Sequence, residues 1–103
     1  MYLINTSFHV DHPHFDTLVE FINGRIIPAL ATFPHIQDCL MLEILIEVDP
    51  TVRSLSLQFR TPDLQAASDT LDTVVAPLID EITTRCGGQQ HLMSFTTPMR
   101  IIP

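Results

Sequence analysis

Along this chain the spacing of apolar residues switches from every second residue to every third or fourth and back, in a fixed order. That order limits the fold more than any other feature of the sequence. From Tyr2 to Val10 the chain alternates, with Tyr2, Ile4, Thr6, Phe8 and Val10 on one side and Leu3, Asn5, Ser7 and His9 on the other. This is the pattern of a strand with one apolar and one mostly polar face. Phe15, Leu18, Val19, Ile22, Ile26, Ala29, Leu30 and Phe33 then recur at helical spacing. Pro13 suits the first position of that helix, where a missing N–H costs nothing. Pro28 falls inside the pattern, where its ring crowds the carbonyl of residue 24. The spacing therefore predicts one kinked helix rather than two, with Gly24 easing the adjustment.

The second half repeats the alternation of periods. A long strand is predicted from Ile36 to Val48, with Leu40, Leu42, Ile44, Ile46 and Val48 on one face and Cys39, Met41, Glu43, Leu45 and Glu47 on the other. Asp49-Pro50-Thr51 reads as a hairpin turn. The returning strand, Val52 to Arg60, puts Leu55, Leu57 and Phe59 inward and Ser54, Ser56, Gln58 and Arg60 outward. Thr61-Pro62-Asp63 is a helix start, with Thr61 as the hydroxyl cap and Pro62 at the first position. That helix continues through Leu64, Ala67, Leu71, Val74, Val75, Leu78, Ile79 and Ile82, bends at Pro77 and stops at Gly87-Gly88. A last strand runs from about Gln90 to Ile102.

The order β-α-β-β-α-β is the split-βαβ, ferredoxin-like pattern of an α+β domain. Right-handed crossovers put the first and third strands in the centre, giving an antiparallel sheet of order 4-1-3-2 with both helices on one face. The 103 residues suit a single domain spanning 1–103.

Composition removes several function classes. Five Arg and no Lys stand against twelve Asp plus Glu, a formal charge of −7. The Arg residues are scattered, whereas phosphate backbones and anionic membranes demand clustered positive charge. Nucleic acid and membrane are therefore not expected partners. No apolar run approaches the roughly 20 residues of a membrane span, and the first residues lack a basic leader. A cytoplasmic, reducing location follows, with Cys39 and Cys86 as free thiols at opposite poles.

With both helices on one side, the other face of the sheet is open. The predicted registers place Asn5, Ser7, His9, Met41, Glu43, Ser54, Ser56, Gln58, Arg60, Ser94 and Thr96 there, with Leu3, Leu45 and Leu92 among them. A mixed face of this kind suits a sheet-to-sheet homodimer or a cleft for a small organic ligand. The bland alternative is a solvated face. The candidate ligand-binding or dimer residues are Asn5, Ser7, His9, Glu43, Ser56, Gln58, Ser94 and Thr96. Base-stacking aromatics at the central positions, a CxxC after the first strand and a Gly-rich phosphate loop are all missing from the sequence.

No catalytic set is expected. His9, Glu43 and Arg60 have the types of a base, an acid and an anion binder. His9 ends the first strand and Arg60 the antiparallel third, however, so at ~3.3 Å per residue they lie roughly 20 Å apart. Arg60 is expected to pair with a surface acid. A second group, His9, Asp11, His12, His14, Cys86 and His91, gathers at one pole with metal-ligating chemistry. Because His9 and His91 should project to opposite faces, these are read as solvated residues, with no metal and no cofactor.

Asn5-Thr6-Ser7-Phe8, Ile27-Pro28-Ala29-Leu30, Ser56-Leu57-Gln58-Phe59 and Phe95-Thr96-Thr97-Pro98-Met99 together resemble a bacterial domain family of unknown function, number 4286. The resemblance covers essentially the whole chain. It implies a ferredoxin-like fold of the kind that forms dimeric α/β barrels, and it assigns no activity, substrate or functional residue. The chain departs from what the family implies in having no Trp and one Tyr. The leading expectation is a homodimeric, non-catalytic ligand-binding or association module. The alternatives are a cofactor-independent enzyme of the oxygenase or isomerase type, by fold analogy alone, and a structural interaction module.

Overall fold

In the computed structural model, which describes residues 1–46 and 49–103, the first alternating segment forms strand β1 (Tyr2–Asp11). Strand β2 is Gln37–Ile44, β3 is Val52–Thr61 and β4 is Leu92–Arg100. The sheet order is β2-β3-β1-β4 with every neighbouring pair antiparallel, which is the expected 4-1-3-2 order read from the other edge. The fold is ferredoxin-like. The expected strand at Ile36–Val48 is shorter, and its last two residues lie outside the described ones.

Both helical runs cover one side of this sheet. The core joins Ile4, Phe8 and Val10 of β1 and Leu55, Leu57 and Phe59 of β3 to Leu18, Ile22, Ile26, Leu30, Val75 and Ile82 of the helices. Each such side chain, withdrawn from water, contributes about 1.5–3 kcal/mol. Thr6, buried among them, is satisfied across the sheet by Thr96 (Oγ1–Oγ1 2.9 Å).

The prolines inside the helices each follow a wide turn of the same kind. Helix α1 (Phe15–Phe21) passes through a π turn at Ile22–Ile26 into α2 (Ile27–Leu30). Helix α3 (Leu64–Thr70) passes through a π turn at Leu71–Val75 into α4 (Ala76–Arg85). In each case the residue before the proline, Ile27 or Ala76, donates its N–H five residues back, to Ile22 or Leu71. The wide turn accommodates the ring and the missing donor of the next residue. Gly24 is not what permits it. The equivalent residue of the second helix is Thr73, which sits in the same kind of turn.

The cap of the second helix is Asp63, not Thr61. The Asp63 carboxylate accepts from the Ala66 N–H at 3.0 Å, while the Thr61 hydroxyl accepts from the Asp63 N–H at 3.2 Å. A carboxylate one residue before the first helical N–H reaches the free donors better than a hydroxyl three residues before. At the other end, Gly87 (φ +98°) and Gly88 (φ +107°) take the left-handed conformation that stops α4. No helix among the described residues is long and apolar enough to cross a membrane.

Candidate functional site: the open face of the sheet

The registers fix what the uncovered side presents, because side chains alternate strictly across a pleated strand. Reading from β4 through β1 and β3 to β2, three rows cross the sheet: Met93–His9–Ser54–Ile44, Phe95–Ser7–Ser56–Leu42 and Thr97–Asn5–Gln58–Leu40. A fourth, Met99–Leu3–Arg60–Gln37, closes one end. The two central strands thus supply a polar strip and the two outer strands supply apolar margins. Met93 (61% exposed), Phe95 (54%) and Leu42 (44%) are far more open than their apolar character favours.

The polar strip is internally bonded. The Ser56 hydroxyl donates to Asn5 Oδ1, Asn5 Nδ2 donates to Ser7 Oγ at 3.0 Å, and Gln58 Nε2 donates to Ser56 Oγ at 3.1 Å. His9 Nδ1 meets Ser54 Oγ at 2.8 Å, and its ring stacks on Phe95 with centroids 5.7 Å apart. Among the described residues no buried side-chain polar atom lacks a partner. The strip is therefore held in one arrangement before anything binds.

Asn5, Ser7, His9, Ser56 and Gln58 share this face. Three other candidate residues do not. Glu43 stands opposite Leu55 on the helix side, where it pairs with Arg53 (2.7 Å), whose guanidinium lies over the Phe15 ring. Met41, beside it, packs against the core. The reason is a bulge: Gln37 faces Arg60 and Leu40 faces Gln58, so β2 carries one residue more than β3, with Asp38 in the left-handed region (φ +52°). An extra residue reverses the sense of every later side chain. Ile36 packs toward the core as its apolar character suggests, and Leu40, Leu42 and Ile44 then turn outward. Leu45 lies beyond the end of β2.

Ser94 and Thr96 also lie on the helix side, opposite Phe8 and Thr6, with Leu92 buried in the core. Placing the apolar side of β4 inward is natural, since Met93, Phe95 and Met99 outweigh Ser94, Thr96 and Pro98. The strand does the reverse. Sequence reasoning consequently missed Leu40, Leu42, Ile44, Met93 and Phe95 as open-face residues. The signal was present as an apolar alternation, but its direction could be settled only by the register.

Arg60 and His9 are separated along the sheet as expected, being paired with Leu3 and Ser54 respectively, and Arg60 faces Asp38 (3.6 Å). Arg25, Arg53 and Arg85 each face a carboxylate as well. At the pole, Asp11, His14 and His91 come together, whereas His12 is exposed and His9 turns to Ser54. His91 does not oppose His9. It stands across from Asp11, two residues from the Met93 that neighbours His9. The hydrogen bond from His14, aided by that from His91 and opposed by desolvation, holds the Asp11 carboxyl below the usual carboxylate range.

A hollow of about 270 Å³ lies beside His9 and Ser54 at the hairpin, and another of about 300 Å³ lies on the helix side between Leu71, Val75 and Thr96. Both sit at or below the lower end of small-molecule sites.

No family model matches the sequence, and no curated protein matches it. Solved structures do. A candidate antibiotic biosynthesis monooxygenase from Deinococcus radiodurans superposes with a TM-score of 0.76 at 15% identity, covering 100% of this chain and 94% of that one. A second antibiotic biosynthesis monooxygenase gives 0.68 at 14% identity over the whole of both chains. HapK from Hahella chejuensis gives 0.66 at 10% identity, covering 99% and 93%. At these identities the likeness is one of fold.

Proposed function

We propose that the chain acts as a homodimer whose open sheet faces meet and enclose a small organic ligand against Asn5, Ser7, Ser56 and Gln58. The observation that carries this reading is the row pattern. Its first two rows run apolar–polar–polar–apolar from either edge. A two-fold interface must be self-complementary, and a copy turned about such an axis meets apolar margins with apolar margins. The margins exclude water, and the polar strip, already bonded within itself, offers fixed donors and acceptors to a ligand. The hollows at the hairpin and on the helix side sit at or below the lower end of small-molecule sites, and two facing sheets would enclose a larger space. Membership in bacterial family 4286, a cytoplasmic setting and free Cys39 and Cys86 thiols belong to the same reading. The short motifs and the thiol burial support it.

A second reading, a cofactor-independent oxygenase of the same architecture, is favoured by the names of two fold neighbours. His9 is then the imidazole that faces the enclosed space and accepts a proton from substrate.

One experiment separates these readings. Light scattering during gel filtration is expected to show a dimer for the native chain and a monomer for the Leu42→Glu/Phe95→Glu variant. A thermal-shift screen of metabolites then identifies ligands. A ligand recovered unchanged supports the binding module, and one consumed with oxygen uptake that His9→Ala abolishes supports the enzyme. A native chain that runs as a monomer removes both.

A further inference from the structure

Three side chains, two from neighbouring positions and one 80 residues away, converge at the pole beyond His9. Asp11 ends β1, His14 closes the single 3₁₀ turn His12–His14, and His91 immediately precedes β4. Asp11 Oδ1 faces His14 Nδ1 at 2.5 Å, and Asp11 Oδ2 faces His91 Nδ1 at 2.6 Å. The two rings stand 5.6 Å apart at 59°, and one ligand atom from each residue falls within 4.8 Å of the others. All three residues are partly exposed, so an ion can reach them from solvent.

The backbone holds this arrangement. The Asp11 N–H donates to His91 O (3.0 Å), and the His91 N–H donates to Gly88 O (3.0 Å). Gly87 supports the His91 ring so closely that a Cβ there would stand 2.8 Å from His91 Cδ2. No other residue leaves the ring its place without a shift. Both imidazoles thus turn the same nitrogen, Nδ1, to one carboxylate, while His91 Nε2 looks outward toward the Gln90 amide at 3.5 Å.

We propose that Asp11, His14 and His91 form a binding site for a divalent transition metal of the Zn²⁺ class, with two Nδ1 atoms and one carboxylate oxygen as ligands and water completing the sphere. Two imidazoles and a carboxylate with an open position are a recognised set for such ions. With bonds of about 2.0–2.2 Å, donor atoms around a tetrahedral ion stand about 3.3 Å apart. The ion takes the place of the proton at each Nδ1, each neutral imidazole then carrying its one ring proton on Nε2, and the carboxylate backs away by under about 1 Å. The site uses none of the open-face strip, so it stands or falls independently of the dimer reading.

The test uses the full chain purified without a histidine tag and stripped with chelator, near neutral pH. Titration with Zn²⁺ by calorimetry and with Co²⁺ by visible absorption is expected to show one ion per chain, and Zn²⁺ is expected to raise the melting midpoint. His14→Ala, on a surface turn, should weaken binding by more than about 100-fold, beyond the 10–100-fold typical of a lost second-shell partner. His14→Ala/His91→Ala should abolish it, and His12→Ala should leave it unchanged. Absence of stoichiometric binding of either ion overturns the proposal. So does binding that survives in the double variant, or that His12→Ala reduces as much as His14→Ala does.

Discussion

Phe8 and Phe95 lie on neighbouring strands of one sheet, yet Phe8 is 0% exposed and Phe95 54%. The difference is which side of the sheet each one faces. On the covered side, Phe8 meets Ile4, Val10 and the helices, and its contacts are complete within one chain. On the open side, Phe95 stacks on His9 and leaves about half of its surface to solvent. The covered side is apolar in the middle of the sheet, whereas the open side is polar in the middle and apolar at the margins. The proposed dimer rests on that uncovered apolar margin.

This contrast can be broken most directly at Phe8. Phe8→Ala is expected to cost about 3–5 kcal/mol, the range for a large side chain lost from a packed core, whereas Phe95→Ala should change the stability of the isolated chain by less than about 1 kcal/mol while weakening association. Denaturant unfolding of the two variants at low protein concentration checks this, and equal costs would erase the distinction between the sides.

An intermediate effect is expected in the polar strip. Ser56→Ala removes the donor to Asn5 Oδ1 and the acceptor of Gln58 Nε2, which should cost about 1–3 kcal/mol. Ser54→Ala, which frees only the His9 ring, should cost less.

The smallest effect concerns the thiols of the covered side. Burial pushes the Cys39 thiol up, and burial together with the nearby Asp11 pushes Cys86 up, with Arg85 opposing. Both groups therefore stay protonated to higher pH in the folded chain than in the unfolded one. Alkylation near neutral pH should be slow, slowest at the more buried Cys86, and urea should accelerate it.

The sequence made the centre of this sheet readable and its edges misleading. In β1 and β3 one set of alternate residues is plainly apolar, and Asn5, Ser7, His9, Ser56 and Gln58 are assigned to the open side by that contrast alone. In β2 both sets are apolar, and the bulge at Asp38 reverses the sense midway, so Glu43 was misplaced. In β4 the stronger apolar set points outward, which no rule that sends apolar residues to the chain's own core can anticipate. Ser94 and Thr96 were misplaced for that reason. The pole was legible as a set of residue types. Its geometry was not, because the same inversion of β4 put His91 on the wrong side of the sheet.

The two wide turns that precede Pro28 and Pro77 also decide which changes of length the molecule can absorb. Each holds one residue more than an ordinary helical turn, so a one-residue deletion between 22 and 26 would not simply shorten the first helix. It would remove the surplus residue and close an ordinary helical turn, keeping Leu30 on its inward side but setting the ring of Pro28 against the carbonyl four residues before it. The surplus residue and the proline that follows it are thus coupled, and homologous chains should keep or lose the two together.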